Sequence, residues 1–458
     1  MQSLGIDIGG THIRAARVDA HGVILARGSA QSSPDPGVVL NRCLDLIAQI
    51  NGPEVLGIGI GIPGQVIAAS RTVLSGGYVD LSGFDFAVKV QDATGLPVVI
   101  ENDATMALLG EVACGAAKGA ANVVMLTIGT GIGGAIIDQG QVLRGRGTAG
   151  QLGHIVVDPD GAPCVCGRIG CVETTSSGTA FGTHLARFGL PAHTKAQDLL
   201  DHRGPAAMAV LTAWARPLRQ AIDALITVNN PDLVVLGGGA GAGAVAALDL
   251  FPPAKSWFTA PVVAALLGDD AGVIGAAMTA RPKPKRVIMV NGVPASGKSA
   301  VADAVSAATG WPVLRLDTIK DPFLHELAPV DRLFNRTLGR ASYAAIFDIL
   351  RDAPAGTTAI IDAWFGFQPA ETLTAGLARA GVTDIAEVWC HAPPETVGAR
   401  YAARIGDRTP GHPGADYVPE LIALSARAQP MSIGPLRHID TTTPLDLHPL
   451  LNWLHQPT

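Results

Sequence analysis

Several residue groups in this 458-residue chain have types and spacings that could do chemistry. Gly292-Val293-Pro294-Ala295-Ser296-Gly297-Lys298-Ser299 satisfies G-x-x-x-x-G-K-[ST] in full. It follows an apolar run and precedes a helical one. In that setting the glycines let backbone N–H groups turn onto phosphates. Lys298 supplies a mobile charge for the β- and γ-phosphates, and the Ser299 hydroxyl reaches Mg²⁺. His154, Cys164, Cys166 and Cys171 fall within eighteen residues. Imidazole and thiolate ligands in a short, turn-rich loop suit tetrahedral Zn²⁺ in a closed, structural site. Free buried cysteines are the plainer alternative. Glu101-Asn102-Asp103 ends another apolar run. A carboxylate there could take a proton from a substrate hydroxyl, or it could simply cap a helix.

Gly129-Thr130-Gly131-Ile132-Gly133-Gly134 formally matches G-x-G-x-x-G. A dinucleotide site needs a helix next, but Ala135-Ile136-Ile137-Asp138 reads as a returning strand, which excludes that use. The segment instead echoes Asp7-Ile8-Gly9-Gly10-Thr11, which also lies between two apolar runs. Two glycine-tipped hairpins could grip one phosphate chain from two sides, or be ordinary hairpins. Their repetition predicts a duplicated, two-lobed fold. In the C-terminal part, Asp317 is expected to end a strand, either as a base or metal contact or as a helix cap. Arg400, Arg404 and Arg408 are four apart. On one helix they would share a face, as a phosphate-covering lid or as a solvated basic surface.

These groups need elements to position them. The pattern predicts a helix over 38–50, strands over 55–62 and 97–100, and a helix over 208–228 that Pro217 should kink. A strand over 232–236 runs into Gly237-Gly238-Gly239. The short basic segment 281–286 is expected to link two domains, 1–280 and 287–458. Beyond it, strands over 287–290, 313–316, 358–361 and 385–390 alternate with helices. That rhythm predicts a parallel sheet covered on both faces.

Composition narrows the function. Charged residues are 16% and hydrophobic ones 48%, enough for several cores and against disorder. The net charge is −6 with no long basic run, which argues against nucleic-acid or membrane partners. The opening MQSLGIDIGG shows no basic-then-apolar leader, so a cytoplasmic location is expected. Six cysteines are too few for a disulfide scaffold.

Asp7-Ile8-Gly9-Gly10-Thr11, Gly61-Ile62-Pro63-Gly64, Glu101-Asn102-Asp103-Ala104, the glycine run 129–134, Gly153-His154 and Cys164-x-Cys166-Gly-x-x-Gly-Cys171-x-Glu173 together resemble the ROK sugar kinases of the actin-like ATPase superfamily. The resemblance covers about residues 3–280. It implies an α/β, two-lobed, ribonuclease H-like domain that phosphorylates a hexose or N-acetylhexosamine at the 6-hydroxyl with ATP and Mg²⁺. It implies Asp103 as general base. Asn102, His154 and Glu173 would hold the sugar, with Gly64, Asp80 and Gln151 also lining its pocket. Asp7 would position hydrated Mg²⁺, and Gly9, Gly10, Thr11, Gly129, Thr130 and Gly131 would bracket the phosphates. Gly238 and Gly239 would lie against the adenosine. His154, Cys164, Cys166 and Cys171 would bind structural Zn²⁺, and the domain would form a homodimer. Two positions depart from the family pattern: Gln151 replaces a usual Glu, and Asp80-Leu81-Ser82-Gly83-Phe84 replaces a stretch with Asn and Trp. Both leave the identity of the sugar open.

The part from 287 onward resembles small-molecule P-loop kinases of the gluconate kinase and chloramphenicol phosphotransferase type. A second phosphotransferase is therefore expected, with a nucleotide-sensing or oligomerising module as the alternative. ROK proteins include repressors, but those carry a helix-turn-helix ahead of the first hairpin, and only six residues precede Asp7 here.

Overall fold

The structure is a computed structural model that describes residues 1–454 except 254, 283, 328 and 410. Lys283 of the expected linker, and 455–458, lie outside the described residues. The chain divides into two compact units, Met1–Arg281 and Pro282–Thr458.

The first unit contains two five-stranded sheets built to one plan. The first sheet uses β1 (Gln2–Ile8), β2 (His12–Val18), β3 (Ile24–Gln31) and β4 (Val55–Ile62). A small ribbon of β5 (Gln65–Ile67) and β6 (Thr72–Ser75) follows, and then β7 (Val98–Asn102) completes the sheet. Its order is β3-β2-β1-β4-β7. The second sheet uses β8 (Val123–Ile128), β9 (Ile132–Asp138), β10 (Gln141–Val142), β11 (Leu233–Gly237) and β12 (Val262–Ala264), in the order β10-β9-β8-β11-β12. In each, an antiparallel hairpin leads and parallel strands are added beside its first strand. The two hairpins are the glycine-tipped pair read from the sequence.

Local signals account for the helices around these sheets. Pro36–Ile50 begins with a proline, and the Asp35 side chain accepts from Gly37 N and Val38 N, satisfying donors that a helix start leaves open. Asn102 does the same for Asp103–Cys114 by accepting from Thr105 N. Pro205–Asn229 is assigned without a break through Pro217 and buries Trp214, Leu218 and Ile222 in the core of the second lobe.

The helix Ala271–Thr279 holds the first lobe together. It packs on β1, β4 and Asp103–Cys114 at backbone distance. A Cβ added at Gly5 would lie 1.8 Å from Val273 O, one at Gly59 1.9 Å from Ala276 O, and one at Gly275 1.7 Å from Met106 O. Only glycine permits such an approach.

The second unit is a wholly parallel sheet of β13 (Lys285–Asn291), β14 (Val313–Arg315), β15 (Thr358–Ala363), β16 (Val382–His391) and β17 (Leu436–Asp440), in the order β14-β15-β13-β16-β17. β13 alternates its side chains between two cores: Val287 and Met289 enter one, Ile288 and Val290 the other. β13 starts at Lys285, two residues earlier than the apolar pattern suggested, because Lys285 and Arg286 already pair with β16. No helix among the described residues is long and apolar enough to cross a membrane.

Each unit has its own sheet and its own cores, so a fragment of residues 1–281 should unfold in one cooperative thermal transition. Circular dichroism checks this. A fragment that aggregates, or melts without cooperativity, would show that the first unit needs the second.

Candidate functional site

Asp7 lies one residue before the end of β1, and Asp103 opens the helix after β7. A Cβ added at Gly61, on β4 between them, would meet Asp103 Cα and Asp7 Oδ1 each at 3.5 Å. The two carboxylates therefore face a common space. Burial, then the Asp103 charge, pushes Asp7 up to about 7, against a partial offset from Arg14, whose guanidinium is 3.8 Å away. Burial likewise pushes Asp103 up to about 6, while hydrogen bonds from Ala104 N and the Asn102 amide hold it down. The start of Ala271–Thr279 closes this space: a Cβ at Gly272 would sit 2.9 Å from Asp7 Cγ.

Asn102 carries more than one duty. Its Nδ2 donates to Gly64 O at 3.0 Å and Asp103 Oδ1 at 2.9 Å, while its Oδ1 caps the helix. Most of its polar capacity thus goes to fixing Asp103, and one lone pair of Oδ1 is left for a ligand. The capping use weighed from the sequence is real, and it belongs to Asn102. Glu101 was not singled out from the sequence. It is buried and binds Arg144 through both Nε (3.0 Å) and Nη2 (2.9 Å), and it accepts from its neighbour Asn102 N. Glu101 could have been suspected as the one charged residue of β7, but its partner lies 43 positions away.

The second hairpin tip is tied to the helix Gly178–Arg187: Gly178 N donates to Gly129 O and Thr179 Oγ1 to Thr130 O. Glu173 fits under this tip. Its Oε2 accepts from Ile132 N at 2.9 Å, and a Cβ at Gly131 would strike it. Gly238 turns against Ile128 at the end of β8, while a Cβ at Gly239 would meet nothing within 4 Å. Gly9 N donates back to His12 O, and Gly10 and Thr11 are exposed at the first tip.

The chain brings His154, Cys164, Cys166 and Cys171 together. His154 Nδ1 lies 3.4 Å from Cys164 Sγ, Cys166 Sγ 3.6 Å from Cys171 Sγ, and all four donor atoms lie within 4.8 Å of one another. Burial and the adjacent thiols push Cys171 up to about 12. Such crowding is what a central cation would relieve. Gln151 is exposed just before the turn Leu152–His154. Asp80 is exposed, and the Ser82 N–H that it accepts lowers its carboxyl.

In the second unit, Gly292–Gly297 forms the loop between β13 and Lys298–Thr309. Gly297 has φ +91°, and a Cβ there would strike Thr441, whose hydroxyl donates to Ser296 O. Lys298 is the first residue of the helix, and Ser299 is exposed in its first turn. Two expectations need correction. β14 stops at Arg315, so Asp317 lies in the first turn of the helix Leu316–Leu327, where a carboxylate is favoured by the helix dipole. The arginines do not share a helix face, because Pro394–Ala403 ends before Arg404, which caps it. Arg400 forks onto Thr441, Arg408 lies 4.7 Å over the Tyr401 ring, and Arg404 is exposed.

Burial pushes Asp317 up, but Lys320, Lys298, His412 and Arg408 outweigh it and hold the carboxyl below its usual value. Asp317, Asp321 and His412 also cluster, yet Lys320 lies 3.6 Å from Asp317, and His412 Nε2 lies 2.8 Å from Asp321. Lys320 already balances Asp317, and His412, whose pKa burial and Lys320 push down, hydrogen-bonds Asp321. Asp362, at the end of β15, has a buried Oδ1 without a hydrogen-bond partner. The strand pattern over 358–361 gives Asp362 no role.

Residues 3–283 match the family model described as ROK family, and 287–415 match one described as AAA domain. A glucokinase of Halalkalibacterium halodurans is 34% identical over 59% of this chain and 92% of its own length. An N-acetylmannosamine kinase of Yersinia pseudotuberculosis is 33% identical over 61% and 98%. The crystal structure of a ROK family glucokinase from Streptomyces griseus, in complex with glucose and AMPPNP, is 32% identical with a TM-score of 0.53, covering 61% of this chain and 99% of that one. The first unit has the actin-like fold of these neighbours, and the second is a P-loop domain.

The raised carboxyls set a pH dependence. A carboxyl raised in the folded state favours the neutral form there, so its stability contribution is greatest below about pH 4 and falls as pH rises through the folded value. Asp7→Asn should therefore stabilise the magnesium- and nucleotide-free protein at pH 7 by roughly 1–3 kcal/mol, with the gain vanishing near pH 4. Urea unfolding at both pH values checks it.

Proposed function

Because the chain belongs to the ROK family, we propose that its first unit transfers the γ-phosphoryl group of ATP to the 6-hydroxyl of a hexose or N-acetylhexosamine. The observation that carries this reading is the placement of Asp103. Its Oδ1 is held by Asn102 and Ala104, and it stands at a strand end beside Asp7, at the mouth of a phosphate-type hairpin. A base held to about 6 by burial is ionised at neutral pH yet still basic enough to take a proton. As the hydroxyl oxygen bonds to phosphorus, its proton passes to Asp103, the bond to the bridging oxygen breaks, and ADP leaves.

The other residues bind and orient. Thr11, Thr130 and the backbone at Gly9, Gly10, Gly129 and Gly131 hold phosphates between the two hairpins, with Gly238 and Gly239 beside the adenosine. Asn102, His154, Glu173, Gln151, Gly64 and Asp80 line the sugar pocket. Asp7 fits a hydrated Mg²⁺, since a cation relieves its repulsion with Asp103. When bound, Mg²⁺ neutralises phosphate charge. His154, Cys164, Cys166 and Cys171 fit Zn²⁺, because bonds of about 2.0–2.3 Å to a central ion place tetrahedral donors at roughly the separations seen. The ion would hold the loop that presents His154 and Glu173. A cytoplasmic location and a homodimer through this unit belong to the same reading.

The second unit is proposed to be a second phosphotransferase. Gly292, Gly297, Lys298 and Ser299 would hold the nucleotide phosphates and Asp317 would accept the proton. Arg408 lies close enough for its charge to lower that carboxyl, so it can also bear on the phosphates. Arg400 acts at a distance, by fixing Thr441 behind Gly297.

The two activities should separate by mutation. Asp103→Asn should cut hexose-dependent ADP release by ~10²–10⁴-fold while sugar binding persists. Lys298→Ala should spare that activity and remove turnover by the second unit. A sugar panel read as ADP release, with calorimetric sugar binding, tests both. Wild-type hexokinase turnover in Asp103→Asn would overturn the assignment. Metal analysis should find one zinc per chain, and Cys166→Ser should lower that content and raise the sugar KM. Zinc-free protein with full activity would refute the metal's role.

A further inference from the structure

Beyond the residues expected to touch substrate, we propose that Arg144 is a positioning residue that sets both sides of the sugar pocket at once. This rests on the sugar-kinase reading above. Glu101 lies at the end of β7 in the first lobe, one residue before Asn102 and two before Asp103. Arg144 follows β10 in the second lobe. The ion pair therefore bridges the lobes at the base of the pocket.

The two faces of Arg144 do different work. Its guanidinium delivers Nε and Nη2 to one oxygen, Oε2, of the buried Glu101, at 3.0 and 2.9 Å. The other oxygen, Oε1, accepts from Asn102 N at 3.0 Å. Glu101 is thus held at both oxygens, and the backbone that carries Asn102 and Asp103 is held with it. The Arg144 carbonyl accepts from Gly147 N at 2.7 Å and Ala149 N at 3.1 Å. Those bonds shape the loop that runs straight into Gln151 and the Leu152–His154 turn. One residue therefore fixes the base-bearing strand end with its side chain and the start of the opposing wall with its backbone.

Glu101 is almost fully buried, while the Arg144 side chain is 42% exposed. Removing Arg144 leaves a buried charge without its counter-charge, which is costly. The strand end must then shift or take in water, and displacement of a reacting group by about 1 Å costs on the order of 10²-fold in rate. The nucleotide hairpins at Asp7 and Thr130 do not depend on this pair, so the effect should fall on the sugar side and on kcat.

The test uses the full-length protein with its best hexose. Arg144→Met should lower kcat roughly 10–100-fold and raise the sugar KM, with the ATP KM unmoved. Arg144→Lys restores charge without the two-donor fork and should recover activity partly. Arg146→Met removes an exposed charge from the same loop and should stay within about twofold of wild type. Glu101→Gln combined with Arg144→Met removes both charges, so thermal stability should return toward wild type while kcat stays low.

A folded Arg144→Met with wild-type kcat would overturn the proposal. A double variant that regains kcat together with stability would also overturn it, since Arg144 would then serve folding alone. Wild-type protein without any hexose-dependent ADP release would instead refute the sugar-kinase reading, and this inference with it.

Discussion

Backbone-to-backbone packing of the helix Ala271–Thr279 is the contact on which the first unit depends. Gly5, Gly59 and Gly275 let that helix reach β1, β4 and Asp103–Cys114 without side chains between them. The close approach presses Gly272 onto Asp7 and limits water in the space that Asp7 shares with Asp103. Burial raises both carboxyls, and the Asp103 charge raises Asp7 further. Packing thereby raises the two carboxyls that the proposed reaction would use as base and as cation ligand. The same packing makes the empty pair repel, a cost that a bound cation would offset.

Duplication explains how two lobes can serve one reaction. Each sheet sets a hairpin beside parallel strands in the same order, so each presents a glycine tip at an equivalent edge. The first tip carries Asp7. The second leans on Gly178–Arg187 and is underpinned by Glu173, which also lies near the cysteine loop. The second hairpin tip and the cysteine loop thus share a support in Glu173. Glu101 and Arg144 add a charged tie between the two lobes.

The second unit solves the phosphate problem differently. There one loop between a central strand and a helix takes the place that the two hairpins hold in the proposed reaction of the first unit. Thr441, contributed from beyond β17, fills the space behind Gly297 and receives Arg400. The charges of Lys320, Lys298 and Arg408 hold the Asp317 carboxyl below its usual value, in contrast to Asp103, whose carboxyl burial raises.

The sequence alone determined the features whose signals are local. Glycine tips between apolar runs marked the hairpins, the full G-x-x-x-x-G-K-S run marked the phosphate loop, and Cys164-x-Cys166 with Cys171 and His154 marked the cluster. Strand and helix periodicity placed β4 at its observed bounds and located the parallel sheet of the second unit. Local pattern misplaced Asp317, because a three-residue edge strand yields to a helix start that favours a carboxylate. It also drew three arginines onto one face, because spacing by four says nothing of where a helix ends. The pairing of Glu101 with Arg144, the support of Gly297 by Thr441, and the meeting of Asp7 with Asp103 across Gly61 were decided only by tertiary structure. Each joins residues far apart in the chain. Burial and counter-charge, which set the chemistry of a carboxylate, are properties of the space around it, and no neighbour in sequence encodes them.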